Sequence, residues 1–286
     1  MDGDVNYPHG MIPRVEAHKH HRRFVSEVRP SVAMLKLMDA RRLVGRGETA
    51  GSYFGPETTV IVSSTQNDAS LAENRWTDEF DVLRRFKPDY CIPADYPCYE
   101  DDPREVRMEN VKDCMRGTVY LREKIADTPG LNTRVVPLIK GMSPRERRVC
   151  YSVFREYEWE YAAVYGTQYF TGGQGGRVWE LANDVESIVD ETNGELDLLL
   201  IGSLATFTLS KMPSEVVAAA GMYRWRTAVE PRTNDPSSMR REYDRVADEV
   251  EAVLADERSD PVRPQASGDE KPTPRSEGAE NEQVIE

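Results

Sequence analysis

The sequence predicts an α/β protein with a (β/α)8 TIM-barrel-like fold, incomplete or slightly degenerate. Short apolar, β-branched runs alternate along the chain with amphipathic helical stretches, which gives about six βα units in order. Several of these runs end in Gly, Asp or Lys, as is typical of strands whose carboxyl ends form a site. An open doubly wound sheet is the alternative, because it shows the same alternation.

The individual elements follow from hydrophobic periodicity and from capping residues. Strands are predicted at 58–63, 90–94, 134–139, 161–165, 196–201 and 222–229, where buried runs are rich in β-branched and aromatic residues. Helices are predicted at 31–44, 71–86, 104–126, 144–157, 177–192, 213–220 and 239–256. Ser143 and Pro144 supply an N-cap and a first-turn proline, and Gly221 is predicted to end the helix over 213–220.

Three segments are expected along the chain. Residues 1–57 read as an N-terminal arm, a helix and a loop, 58–242 as the TIM-barrel-like domain, and 243–286 as an acidic helix with a disordered, Pro-, Ser- and Glu-rich tail. All four histidines lie in the first segment. A solvated basic arm is favoured there over a metal or phosphate site, so we expect a barrel without histidine chemistry.

Composition limits the function classes only in part. The 286-residue chain carries a net charge of −13, which normally disfavours nucleic acid. An acidic, lysine-poor composition is also typical of proteins from high-salt cytoplasm, where long-range charge is screened, so nucleic acid stays among the partners. The chain has no apolar run of membrane-spanning length and no signal-peptide pattern, so we expect a cytoplasmic protein without a membrane partner. The four cysteines match no zinc pattern and are expected to be reduced thiols.

Four phrases at the predicted strand ends carry the candidate chemistry. They are KPDYCIPADYP, VVPLIKG, YGTQYFTGGQGG and LLLIGS, which begin at residues 87, 135, 165 and 198. The third phrase ends in four glycines within five residues. Because glycine is costly to order, such a cluster indicates backbone that approaches a ligand closely or makes a tight βα turn.

In order and spacing these phrases resemble the tRNA-guanine transglycosylase superfamily, which exchanges a base at its glycosidic bond on a TIM barrel. The resemblance covers residues 58–229. It is strongest to the branch found in phages and viruses that inserts 7-deazaguanines into DNA, because this chain is short and lacks the zinc phrase. The resemblance implies a reaction that replaces guanine in nucleic acid, DNA rather than tRNA, with a 7-deazaguanine such as preQ0, and needs no cofactor or metal.

The resemblance assigns base binding to the strand ends. Asp95 would bind the Watson–Crick edge, since a carboxylate accepts hydrogen bonds from adjacent N–H donors. Lys140 stands where the family has Gln and would donate to a carbonyl oxygen or a nitrile. The rest of the implied set is Gly141, Gly172, Gly173, Gln174 and Gly175. The alternatives are a capping or salt-bridged Asp95 and a glycine loop that only makes a turn.

Both catalytic aspartates of the family are replaced. Ser63 stands in the place of the first, with Asp68 further along the chain, and Arg226 stands in the place of the nucleophile. Because arginine cannot form a covalent glycosyl intermediate, Asp68 is the candidate nucleophile and Ser63 would line the site. Arg224, Trp225 and Arg226 are predicted to bind nucleic acid, with the indole stacking on a flipped-out nucleotide.

Two other functions stay open. The chain could be a non-catalytic subunit that binds a base or a nucleic acid and assists an active transglycosylase, in a homo- or hetero-oligomer. It could instead be an unrelated β/α-barrel enzyme that binds the phosphate of a small substrate at 172–176.

Overall fold

The computed structural model describes residues 7–65, 75–99, 101–170 and 177–256. Its eight strands are β1 (Gly10–Val15), β2 (Val32–Lys36), β3 (Thr59–Ser63), β4 (Tyr90–Ile92), β5 (Arg134–Val135), β6 (Tyr161–Tyr165), β7 (Asp197–Ile201) and β8 (Val216–Gly221). All pairings are parallel, in the order β5-β4-β3-β2-β1-β8-β7-β6. The sheet curls into a (β/α)8-like barrel that is open at one seam, between β5 and β6, which confirms the predicted fold class.

Helices alternate with the strands and cover the outside of the barrel. They are α1 (Lys19–Val28), α2 (Leu37–Gly45), α3 (Ala50–Phe54), α4 (Trp76–Phe86), α5 (Arg104–Ala126), α6 (Pro144–Glu156), α7 (Val178–Glu191), α8 (Thr206–Leu209), α9 (Tyr223–Val229) and α10 (Pro236–Ala255), with a 3-10 turn at Thr167–Phe170. Within the described ranges, no helix combines the length and the apolarity needed to cross a membrane. All four cysteines are buried, and none of them forms a disulfide.

The seam between β5 and β6 is held by a short contact. A single parallel bridge pairs Leu138 with Ala163. The Ile139 N–H donates to the Ala163 carbonyl at 2.9 Å, and the Ala163 N–H donates to the Pro137 carbonyl at 2.8 Å. Pro137 has no N–H of its own, so the strand predicted over 134–139 breaks after Val135.

Side chains along each strand alternate between the barrel interior and the helix layer. Tyr90 of β4 and Tyr161 of β6 mark the interior, because both contact the ring of Tyr7, with centroid distances of 6.1 and 4.6 Å. Tyr90 pairs in register with Ile61, which pairs with Met34. The strand residues on this interior face also include Arg14, Lys36, Ser63 and Tyr165.

The first two strands were not predicted. The apolar run at the start of the predicted helix 31–44 is β2, and only 37–45 is helical. A short run that is buried on both faces is not separated from a helix by periodicity alone. β1 pairs with β8 on one side and β2 on the other, so the barrel begins at Gly10 and not at residue 58.

The predictions for 213–220 and 222–229 were wrong, because the predicted helix contains a strand and the predicted strand is a helix. The first segment contains β8 and the second forms α9. The phrase VVAAAG has the alanines of a good helix former, but it lies between β1 and β7 and its pairing partners override that propensity. Gly221 is therefore a strand residue, and a Cβ on it would lie 2.9 Å from Leu204 Cγ.

Candidate functional site

Asp95 and Lys140 meet at the carboxyl face of the barrel, which is the end where the strands finish at Val15, Lys36, Ser63, Ile92, Tyr165, Ile201 and Gly221. Asp95 follows β4, and Lys140 follows the bridge that holds the seam. The Lys140 Nζ lies 2.9 Å from Asp95 Oδ1, and the two side chains are 12% and 5% exposed. The structure thus brings together two of the three polar residues that the sequence analysis assigned to base binding.

The electrostatic surroundings of Lys140 favour its charged form. Burial disfavours the Lys140 ammonium, but the Asp95 carboxylate outweighs that effect and raises the pKa of Lys140 above its ordinary value. Asp95 Oδ1 accepts the hydrogen bond from Lys140, and Oδ2 accepts none from the described residues. The arrangement therefore offers one acceptor oxygen and a charged donor, side by side, with no net charge.

Ser63 lies at the end of β3 in a closed polar turn. Its Oγ is 2.6 Å from Thr65 Oγ1 and accepts the Thr65 N–H at 3.1 Å. The Ser63 side chain is fully buried. Asp68, the candidate nucleophile, lies outside the described residues.

Glu79 of α4 is a buried carboxylate that the sequence analysis did not identify. It accepts a hydrogen bond from the Ser64 hydroxyl and lies 3.4 Å from the Ala94 N–H. It therefore ties the end of β3 to the residue before Asp95. Its position in the phrase WTDEF, on the buried side of a helix, is the signal that could have revealed it.

The backbone conformation and the close packing at position 141 require glycine, whether or not a ligand binds. Its φ is 118°, in the region that favours glycine, and a Cβ there would lie 2.7 Å from Glu146 Cβ. Glu146 is fully buried, accepts the Met142 N–H at 2.7 Å and pairs with Arg107. Gly141 thus lets the start of α6 approach the site closely. Gly172, Gly173, Gln174 and Gly175 lie outside the described residues.

The predicted nucleic-acid group at the start of α9 is divided by the fold. Trp225 is fully buried, stacks on Phe24 at 4.2 Å and donates its indole N–H to the Arg14 carbonyl at 3.2 Å. It is a core residue with no face left for a nucleotide, which corrects the stacking role predicted for it. Arg224 is paired with Glu249, and Arg226 is exposed.

Three of the four histidines, His18, His20 and His21, follow the carboxyl end of β1 and do not lie on a detached arm, which corrects the expectation of a barrel without histidines, whereas His9 precedes β1. Ligand atoms of Glu16, His18 and His21 lie within 4.8 Å of one another. However, His18 Nδ1 accepts the His20 N–H at 3.3 Å, and His21 Nδ1 accepts the Glu16 N–H at 2.8 Å. In the neutral rings both protons are therefore on Nε2, so the cluster is a backbone cap and not a set of free metal ligands.

His21 is held in its neutral form. Burial, together with the nearby His18 and Arg226, lowers its pKa from 6.5 to about 3. Its Nε2 is buried and finds no hydrogen-bond partner among the described residues.

Arg14 and Lys36 are interior cations that sequence reasoning missed, because both lie before residue 58. Arg14 is 9% exposed. Burial lowers the pKa of its guanidinium, and Tyr165, Glu16 and Asp39 partly offset the effect. The alternating run MIPRVEA, followed directly by a capped helix, is the signal that could have placed Arg14 on a strand.

A small cavity of about 60 Å³ lies beside Lys140 at the seam. A wider recess of about 460 Å³ adjoins it, and the two share Met142, Gln168, Tyr169 and Asp184. Lys140 is therefore also approached from the side of the barrel where the seam is open.

No protein-family model matches this chain, and no curated protein matches it either. The resemblance to the transglycosylase superfamily therefore rests on the sequence phrases at the strand ends. The fold is a barrel of the kind that the resemblance implies.

Proposed function

We propose that the chain is a base-exchange transglycosylase acting on nucleic acid, in which Asp95 and Lys140 bind a guanine-type base. The proposal is carried by one observation, the buried ion pair at the two strand ends that the resemblance assigns to the base. A carboxylate oxygen beside an ammonium complements a ring edge that carries both N–H donors and a carbonyl acceptor.

The charge state of the pair suits a neutral base. Asp95 and Lys140 cancel each other's charge, so a neutral ring can bind without leaving a net buried charge. Asp95 Oδ2 is the acceptor for the ring N–H groups, and the Lys140 ammonium is the donor to the exocyclic oxygen or nitrile. A base taken out of its stack in DNA or RNA would enter this pocket edge first.

Base exchange requires a carboxylate at the ribosyl C1′. The carboxylate attacks C1′ as the glycosidic bond to guanine breaks, and the incoming 7-deazaguanine then displaces the carboxylate. Five described carboxylates near this face have other partners. Asp95 binds Lys140, Glu79 binds Ser64, and Asp39 accepts the Ala17 N–H. Glu16 lies 3.3 Å from His18 Nε2, and Asp184 accepts from the Tyr169 hydroxyl. Asp68 remains the proposed nucleophile.

A second candidate function is a base-binding accessory subunit without chemistry of its own. It is favoured by Ser63, which is buried and bonded to Thr65 where the resemblance places a catalytic aspartate. Such a subunit would keep the pocket of Asp95 and Lys140 and would assist an active transglycosylase.

The test has a binding part and a catalytic part. Calorimetry with guanine and 7-deazaguanine should show binding to the parent protein and a loss of about ten- to a hundred-fold in Asp95→Asn. Lys112→Met, which removes a lysine of an exposed ion pair on α5, is the matched control and should bind normally. Unchanged binding in a folded Asp95→Asn protein would refute the base site.

The catalytic part measures exchange of labelled base into DNA and into tRNA. Activity that is lost in Asp68→Asn supports the enzyme. Base binding without exchange, together with stimulation of a separate transglycosylase, supports the accessory subunit.

A further inference from the structure

The second polar region of the carboxyl face is at β1 and β2, on the barrel interior. Arg14 is nine-tenths buried, yet its guanidinium makes no hydrogen bond and no ion pair with any described residue. Its direction is set by the sheet, because Arg14 pairs in register with Met34 on the interior face. The electrostatic influence of Tyr165 on Arg14 agrees with this, since β6 lies three strands away and reaches β1 only across the barrel.

Lys36 adds a second cation to the same region. It lies two residues beyond Met34 on β2 and therefore on the same face as Arg14. Its half-buried ammonium also has no hydrogen bond or ion pair within the described part of the chain. The register places it beside Ser63, whose hydroxyl is neutral.

The nearby carboxylates stabilise the Arg14 charge only from a distance: Glu16 and Asp39 partly offset the effect of burial on its pKa, but neither forms an ion pair with it. Glu16 lies 3.3 Å from His18 Nε2, and Asp39 accepts from the Ala17 N–H and pairs with Arg42. The Arg14 backbone is fixed as well, because its carbonyl accepts the indole N–H of Trp225. The guanidinium is thus presented on a rigid strand with its five N–H donors unused by the described protein.

We propose that Arg14 and Lys36 form an oxyanion site inside the barrel mouth, which binds the phosphate group of a nucleotide or of another phosphate ester. A side chain that is nine-tenths buried, with a charged group that has no hydrogen bond or ion pair among the described residues, is costly, and an anion bound at the barrel mouth would offset that cost. Phosphate matches the planar fork of arginine with two parallel hydrogen bonds, and Lys36 adds a point charge beside it. The site does not depend on base binding by Asp95 and Lys140.

The test compares the parent protein with Arg14→Met and measures thermal unfolding at constant ionic strength. Inorganic phosphate, guanosine 5′-monophosphate and guanosine are added in separate series. The parent protein should gain stability from both phosphate-bearing ligands. Arg14→Met should unfold at a higher temperature than the parent without ligand, because the unpaired charge is gone, and should lose affinity for phosphate by about tenfold or more.

The controls separate this site from a general charge effect and from the base site. Arg148→Met, at an exposed arginine of α6, should change neither the melting temperature nor the phosphate response. Lys36→Met should weaken the response less than Arg14→Met. Asp95→Asn should keep the phosphate response even where it loses guanosine, so failure of one proposal is distinguishable from failure of the other.

Three results would overturn the inference. They are a parent protein that gains no stability from phosphate, a phosphate response that persists in Arg14→Met, and a loss of stability in Arg14→Met without ligand. The two sources of phosphate are distinguished by the ligands: a stronger effect of the nucleotide than of inorganic phosphate points to a nucleotide, and equal effects point to a small phosphate ester or to free phosphate.

Discussion

Lys140 and Arg14 are both buried cations at the carboxyl face of one barrel, and they differ in their surroundings. Lys140 has Asp95 at 2.9 Å, and the pair raises the pKa of the lysine. No described residue forms such a pair with Arg14, and burial lowers the pKa of its guanidinium, an effect that Tyr165, Glu16 and Asp39 partly offset. The same fold thus pairs one cation closely and leaves the other only partly compensated by the described residues.

The difference separates two ways of building a polar site. A compensated pair is stable in the free protein and recognises ligands by hydrogen bonds, so it suits a neutral ring. An uncompensated cation reduces the stability of the free protein and becomes favourable when an anion arrives. A protein that keeps both therefore has two sites of opposite electrostatic character at one barrel mouth.

The largest expected effect comes from removing one partner of the compensated pair. Asp95→Leu leaves the Lys140 ammonium buried and unpaired, and should reduce the free energy of unfolding by about 3–5 kcal/mol. Urea unfolding of the parent protein and of the variant measures this change in the free energy of unfolding. A loss below about 0.5 kcal/mol, the size of an ordinary surface substitution, would show that Lys140 reaches solvent and that the two cations do not differ as described.

The double variant Asp95→Leu/Lys140→Met sharpens this test. Replacing both partners by apolar side chains removes the orphaned charge, so the double variant should be more stable than Asp95→Leu alone. The two single effects should therefore not add. Simple additivity would indicate that the pair is not coupled.

An effect of intermediate size on stability is expected at acidic pH. It concerns His21, which lies in the same region as Arg14, just after β1. His21 has a pKa of about 3 in the folded chain against an ordinary value of 6.5, so between these values the unfolded chain binds a proton that the folded chain excludes. Stability should fall as the pH drops through this window, by at most about 1.4 kcal/mol per pH unit.

Urea midpoints measured across this pH range test the assignment. His21→Asn should flatten the slope, because the titrating group is gone, whereas His9→Asn at an exposed position should not. An equal slope in the parent and in His21→Asn would assign the acid sensitivity to other groups.

The smallest effect is expected from placing a carboxylate near Arg14, which has no ion pair with any described residue. Lys36→Glu places a carboxylate on the same interior face, and should stabilise the free protein by about 0.5–1 kcal/mol at neutral pH. The same change should abolish the response to phosphate. A variant that is destabilised and still binds phosphate would mean that Lys36 and Arg14 do not share one region.

The sequence predicted the elements whose evidence is local. Helix α5, Arg104–Ala126, has its predicted bounds, and so does strand β6, Tyr161–Tyr165. Helix α6 begins at the predicted Pro144, and the Ser143 hydroxyl accepts the Glu146 N–H. Capping residues, prolines and hydrophobic periodicity involve only residues that are close in sequence. They can therefore be recognised before the fold is known.

The candidate site was also predictable only where its evidence is local. Asp95 and Lys140 each follow an apolar run, and parallel strands bring their carboxyl ends to one face, so their proximity follows from the topology. Glu79, Arg14 and the histidine cap were not found in this way. Their roles depend on which helix or strand lies beside them, and the sequence of the segment before residue 58 predicts an arm.

The sequence by itself therefore determined the alternation of strands and helices, the fold class and the polar residues that follow β4 and the bridge at the seam. Only the tertiary structure decided that β1, β2 and β8 complete the sheet, that Trp225 is core, and that Arg14 is buried without a hydrogen-bonded or ion-paired partner among the described residues. The physical reason is the range of the contacts. The indole N–H of Trp225 reaches the Arg14 carbonyl across 211 positions of sequence, and burial, pairing and charge compensation arise only where such distant segments meet.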